Sequence, residues 1–316
     1  MAKRKEKTAE GGPRAGFWPL CAIAFPGDGS QARGVKSNAQ RALRPLSRRQ
    51  AMKLGLAGLV GTSLWPGWRS LRGGETGRPG FSFVAVNDTH YATARCGDWL
   101  RGLVKQMSTH AGIQFCLHLG DLTDLGKREH LIAVRDIFKE LDVPFQAVPG
   151  NHDYVATDDR RPYDEVFPAR LNYHFKHDGW QFIGLDSTQG QRYENTRIQP
   201  ATFAWLDANL PSLDRARPTV LFTHFPVAHT VKMLPLNVDA LLERFLDFNL
   251  REVFSGHYHA FTECWHRSAP LVTNRCCALV RDNHDGTKEK GYWLCSAAGD
   301  GRLTREFVGY RGAAPG

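Results

Sequence analysis

The sequence predicts an α/β protein whose parallel sheet is covered by helices and extended by antiparallel strands. Short β-rich runs alternate with segments of helical period from residue 81 onward, the pattern of βαβ units. Two later β-rich runs meet at Asp178-Gly179, a hairpin signature. Aspartate, asparagine and histidine gather directly after predicted strands, where open α/β sheets build their sites.

Residues 81–87 are β-rich and end at a polar tip. Over 98–110, Trp99, Leu100, Leu103, Val104 and Met107 recur at helical spacing. Residues 113–119 form a second strand with the same polar ending. The span 128–141 repeats the helical pattern through Leu131, Ile132, Val134, Ile137, Phe138 and Leu141. A third strand follows at 145–148, completing a β-α-β-α-β opening. The hairpin pairs 172–176 with 180–186. Helices are expected over 201–210 and 238–248, and strands over 219–223, 252–254, 271–273, 292–296 and 303–308. There is no internal repeat.

The chain of 316 residues is 42% hydrophobic, enough to bury one large core. Its formal charge of +9 is unevenly placed. Residues 1–72 carry 14 Lys/Arg against three acids, a net of +11, and the rest carries 27 basic and 29 acidic residues, a net of −2. A near-neutral body has no field to capture nucleic acid, so no nucleic-acid partner is expected. All 13 histidines lie at or beyond His90, stocking the body for metal and proton chemistry. The seven cysteines form no CxxC pair, which argues against a zinc ribbon. Cys116, inside an apolar strand, reads as a small buried side chain.

Residues 1–72 read as a basic disordered leader, 73–80 as a Gly/Pro-rich linker and 81–310 as the folded domain. Within the leader, Arg48-Arg49 precede an apolar run that ends at Trp65, too short to span a bilayer but suited to a signal peptide. The span 47–65 resembles a twin-arginine export signal, which implies the twin-arginine export machinery as a partner and a periplasmic location. The alternative is a basic tail on a cytoplasmic protein. Ala51 stands where such signals carry a larger apolar residue, and no clear cleavage site follows.

Five segments carry the chemistry. They are Asn87-Asp88-Thr89-His90, Gly120-Asp121-Leu122-Thr123-Asp124, Gly150-Asn151-His152-Asp153, Thr223-His224-Phe225-Pro226 and Gly256-His257-Tyr258-His259. Taken singly, each has an ordinary structural explanation: a turn, a helix cap or a core histidine. Their joint occurrence at strand ends points to one site. Asp, Asn and His together suit manganese, iron or zinc, and the lack of cysteine argues against a structural zinc site. Asp88, His90, Asp121, Asn151, His224, His257 and His259 are too many ligands for one four-coordinate ion. They suit two ions sharing a bridging carboxylate.

The ordered series D-x-H, G-D-x-x-D, G-N-H-D, H and G-H-x-H resembles the calcineurin-like metallophosphoesterase superfamily over residues 81–310. The resemblance implies a four-layer αββα sandwich of two mixed sheets flanked by helices. It implies one divalent or trivalent ion on Asp88, His90 and His259, a second on Asn151, His224 and His257, and Asp121 bridging them. Two such ions would activate a bridging hydroxide against a phosphoric ester. His152 would be the general acid or phosphoryl stabiliser, with Asp124 paired to it.

Purple acid phosphatases carry glycine and tyrosine where this chain has His90 and Asp124, so that branch is disfavoured. The complete D-x-H and G-N-H-D blocks resemble the bacterial class III cyclic-nucleotide phosphodiesterases. Leu125 stands where some phosphatases place a phosphate-gripping arginine, which suits a diester with one less charge. The expected substrate is a small phosphodiester, with a phosphomonoester as the alternative. A non-catalytic metal-binding scaffold on the same fold would be marked by lost ligands, and none is lost. Tyr91, Tyr154, His229 and Tyr258 flank the motifs and read mainly as packing.

Overall fold

The computed structural model describes residues 80–312. The leader 1–72, nearly all of the linker 73–80 and the twin-arginine-like span 47–65 lie outside the described residues. Among the described residues no helix is long and apolar enough to cross a membrane.

Two mixed sheets lie face to face. The first is built from β1 (Phe81–Val86), β2 (Ile113–His118), β3 (Phe145–Ala147), β10 (Lys290–Ala297) and β11 (Leu303–Tyr310), in the order β11-β10-β1-β2-β3. β1, β2 and β3 run parallel, and β10 joins β1 antiparallel. The second contains β4 (Tyr173–His177), β5 (Trp180–Leu185), β6 (Thr219–Thr223), β7 (Leu250–Ser255), β8 (Thr262–His266) and β9 (Ala269–Thr273). Its order is β4-β5-β6-β7-β9-β8, with β5, β6, β7 and β9 parallel. The helices are α1 (Ala94–Met107), α2 (Arg128–Lys139), α3 (Arg161–Val166), α4 (Pro200–Asn209) and α5 (Val238–Glu243).

Strand alternation explains the four layers. Along β1, Phe81, Phe83 and Ala85 point between the sheets, while Val84 and Val86 pack under α1, α2 and α3. The inter-sheet layer is strongly aromatic. Phe83 stacks on Phe115 at 4.9 Å, and Phe115 meets Phe182 edge-on at 5.0 Å. On the outer face of the second sheet, Ile183, Leu221 and Val253 pack against Leu206 of α4 and Leu241 of α5. The central strands of both sheets are therefore buried on both faces, which accounts for the apolar runs in β1, β5 and β6.

The expected elements are present with ends shifted by a few residues. α1 begins earlier than expected, at Ala94, and the helix expected over 238–248 closes at Glu243 before giving way to turns. Among the described residues, one α-helix and one strand were not expected from the sequence. α3 is only six residues long, too short for a helical period to show. β8 alternates correctly, with Thr262 and Cys264 buried, but pairs on one side only as an edge strand. Cys116 is buried in β2, and burial pushes its thiol pKa up.

One buried ion-pair group links the sheets. Arg305 of β11 reaches Glu252 of β7 at 3.0 Å and also pairs with Glu263 of β8. Burial pushes the Glu252 carboxyl up to about 8, while Arg305 pulls it down. Removing the cation leaves that carboxyl buried and unpaired. Arg305→Ala is expected to destabilise the fold by about 3 kcal/mol in urea unfolding, and Arg305→Ala with Glu252→Leu to recover much of that. Equal stability of wild type and Arg305→Ala would show the pair to be inert.

Candidate metal centre

The motif residues meet at one edge of the sandwich. Asp88 and His90 follow β1, Asp121 follows β2 and Asn151 follows β3, three adjacent parallel strands. His224 follows β6, and His257 and His259 follow β7, adjacent strands of the other sheet. The first two loops continue the parallel ladder beyond the strands. The His90 N–H donates to the Asp121 carbonyl at 3.0 Å, and the Tyr91 N–H to that of Leu122 at 3.0 Å.

The backbone is bent to aim these side chains. Asp88, His90, Asp121, His257 and His259 have φ of 52°, 43°, 53°, 64° and 44°. Non-glycine residues rarely enter this left-handed region, at roughly 1–3 kcal/mol each, and such strain concentrates at functional sites. Glycines make room between the loops. A Cβ at Gly150 would stand 2.2 Å from the Asp121 backbone nitrogen, and one at Gly120 would stand 2.6 Å from His224 Nδ1.

All seven expected ligand residues are buried. Asp88 Oδ1 lies 3.2 Å from His259 Nε2, and His90 Nε2 lies 3.3 Å from the same nitrogen. On the other side, His224 Nε2 lies 3.2 Å from Asn151 Oδ1. Asp121 faces both groups: Oδ2 is 3.5 Å from His90 Nε2, and Oδ1 is 3.4 Å from His224 Nε2. Asp88, His90 and His259, and likewise Asp121, His224 and His257, each bring one donor atom within 4.8 Å of the others.

The donor chemistry fits metal ions. His224 Nδ1 faces the Leu119 carbonyl at 2.8 Å, His259 Nδ1 that of Asp282 at 3.2 Å, and His257 Nε2 that of Tyr193 at 2.7 Å. A carbonyl only accepts, so each of these ring nitrogens carries the proton, and the other nitrogen of each ring is left for a metal. His90 Nδ1 faces Asp124 Oδ1 at 3.2 Å in the same manner. Asp88 accepts from the His257 N–H at 3.0 Å, so each sheet braces ligands of the other.

The electrostatics fit as well. Burial would raise the Asp88 and Asp121 carboxyls, but His259 and His224 respectively hold them well below the usual range. Burial disfavours charge on His224 and His259, yet Asp121 and Asp88 outweigh it and lift them to about 9 and about 11. Without a metal, protons supply the charge that the carboxylates require. Burial, aided by His224, pushes His257 down to about 3.

The solvent side of the centre is formed by His152, Asp124 and Arg281, with side chains 31%, 24% and 38% exposed. The pairing expected between Asp124 and His152 is made mainly through the backbone: His152 Nδ1 faces the Asp124 carbonyl at 3.0 Å and its carboxylate at 3.9 Å. That carboxylate instead binds His90 and Arg281, which hold its pKa far below the usual range.

Residues 81–261 match the calcineurin-like phosphoesterases. The chain belongs to that family. It is 28% identical over 167 residues to a glycerophosphodiester phosphodiesterase of Enterobacter lignolyticus, covering 49% of this chain and 59% of that protein. It is 31% identical over 147 residues to a probable cyclic nucleotide phosphodiesterase of Synechococcus, covering 44% and 55%. The matches thus span little more than half the length of these relatives. A dimetal phosphatase from Danio rerio shares the fold, with a TM-score of 0.53 at 18% identity, over 74% of this chain and 100% of its own.

This calcineurin-like phosphoesterase also relies on residues to which no role was assigned from the sequence. Asp153 is fully buried and accepts from the N–H groups of Leu122, Thr123 and Gly150, tying two ligand loops together. Burial, together with Asp121, pushes its carboxyl up to about 7 against those hydrogen bonds. Its place at the end of the Gly150-Asn151-His152-Asp153 motif was the available signal. Arg281 and the carbonyls of Asp282 and Tyr193 had none, because they reach the site from loops far along the chain. Tyr154 is packing, with its hydroxyl 2.7 Å from Thr188 Oγ1 and 2.8 Å from Arg160.

Because His224 and His259 are protonated near neutrality in the metal-free chain, loading must displace protons. Manganese affinity should therefore rise with pH between about 6 and 9, and calorimetry should give a buffer-dependent binding enthalpy. A buffer-independent enthalpy would refute this. Gly150→Ala, which drives a methyl into Asp121, should lower the metal content measured by mass spectrometry while leaving far-UV circular dichroism unchanged.

Proposed function

We propose that the chain is a dinuclear metal-dependent phosphodiesterase acting on a small diester. The observation that carries this reading is Asp121, whose two oxygens face two separate groups of inward-turned nitrogens. Two ions held by Asp88, His90 and His259 and by Asn151, His224 and His257, with Asp121 between, would polarise phosphoryl oxygens and lower the pKa of water enough to supply a nucleophile at neutral pH. The preference for a diester is supported by the names of the matched relatives, which are phosphodiesterases.

His152 supplies the proton. With Nδ1–H held by the Asp124 carbonyl, its Nε2 is left for the substrate. As the oxygen of a hydroxide, formed when water gives its proton to solvent, bonds to phosphorus and the P–O bond to the leaving group breaks, the proton on Nε2 passes to the departing oxygen. The Asp124 carboxylate, 3.9 Å from Nδ1, lies on the same outer side of the ring as the carbonyl that orients it.

The full chain, loaded with manganese, iron or zinc, is assayed on bis-p-nitrophenyl phosphate and p-nitrophenyl phosphate. Turnover should require metal and prefer the diester. Asp121→Ala should abolish it, and His152→Ala should slow kcat about 100-fold with the metal retained. Preference for the monoester would replace the diesterase reading with a phosphatase at the same site. A folded chain holding two metals that cleaves neither ester would overturn the catalytic reading.

A further inference from the structure

We propose that Arg281 is a substrate-binding residue that grips the phosphoryl group at the mouth of the metal centre. The inference rests on the phosphoesterase reading above.

Arg281 lies in the connection between β9 and β10, beyond the last ligand motif. Its guanidinium binds Asp124 Oδ1 through Nε at 3.1 Å and through Nη2. The same oxygen lies 3.2 Å from Nδ1 of His90, so the cation sits one carboxylate away from a ligand ring. Nη1 makes no hydrogen bond among the described residues, and the side chain is 38% exposed. The cation therefore keeps free N–H donors at the solvent-facing edge of a centre whose ligands are all buried.

The connection is held in place rather than loose. Lys290 Nζ donates to the Arg281 carbonyl, and Asn283 Nδ2 donates to the carbonyls of Thr287 and Glu289 at 3.2 and 2.7 Å. Asp282, the next residue, accepts from His259 Nδ1 through its carbonyl. Residue 282 thus touches the outer side of His259 directly, and residue 281 reaches that of His90 through Asp124, which fixes the guanidinium relative to both rings. A planar fork of N–H donors suits two phosphoryl oxygens, and a guanidinium stays charged at every working pH.

The test compares manganese-loaded full-length wild type, Arg281→Ala and Arg281→Lys. Inorganic phosphate is titrated into each by calorimetry, manganese content is measured, and kcat and KM are determined on bis-p-nitrophenyl phosphate. Arg281→Ala should weaken phosphate binding about tenfold and raise KM by a similar factor, with kcat less affected and manganese content unchanged. Arg281→Lys should restore part of the loss, because it keeps the charge without the fork. Phosphate affinity within about twofold of wild type in Arg281→Ala would overturn the proposal. So would loss of manganese as the main effect, which would mark a residue that only holds Asp124 and His90. If Arg281→Ala does not fold, Arg281→Gln and Arg281→Lys decide by the same titration. Should wild type bind phosphate through Arg281 yet cleave no ester, the catalytic reading falls and the phosphate site stands.

Discussion

The Asp121 carboxylate must face two ways at once, and much of the architecture around it follows from that demand. Its oxygens look toward His90 on one side and His224 on the other, although those residues belong to different sheets. A buried carboxylate in that position is stable only where positive charge approaches from both sides. The sandwich meets the requirement by bringing the carboxyl ends of three strands of one sheet against two of the other. The aromatic layer of Phe83, Phe115, Phe182 and Phe222 sets the separation at which those ends meet.

Bringing ligands from five loops into one small volume requires unfavourable local geometry. Left-handed backbone at Asp88, His90, Asp121, His257 and His259 is an energetic load that the local sequence does not relieve. The surrounding hydrogen bonds and the packed sheets offset it. The His257 N–H binds Asp88, the His224 ring binds the Leu119 carbonyl, and Asp153 gathers three backbone N–H groups from two loops. These contacts hold the histidines with their inner nitrogens facing one another. The carboxylates among them call for positive charge: against burial, Asp121 raises His224 and Asp88 raises His259.

Asp124 connects this buried floor to the surface. Its carboxylate faces His90 from outside and binds Arg281, while its carbonyl fixes the ring of His152. One residue therefore links His90, His152 and Arg281. Glycines at the loop junctions allow this density, because a methyl at Gly150 would collide with Asp121.

The order of the five motifs, the strands before them and the identities of the inward-facing side chains were legible in the chain itself. Each depends on local spacing: a β-rich run, a tight turn, and Asp-x-His or His-x-His placing two donors on one side. The parallel opening and the later hairpin were legible from period and turn residues, whereas the six-residue α3 and the edge strand β8 were too short or too lightly paired to register. Only the tertiary structure decided that Asp124 meets His152 through its carbonyl, that the carbonyls of Tyr193, Leu119 and Asp282 face the rings of His257, His224 and His259, and that Arg281 pairs with Asp124. The physical reason is that a carbonyl is present at every residue and marks none of them. A cation 157 positions from its carboxylate likewise leaves no local pattern. Sequence determined which donors the site has, and folding decided what holds them in place.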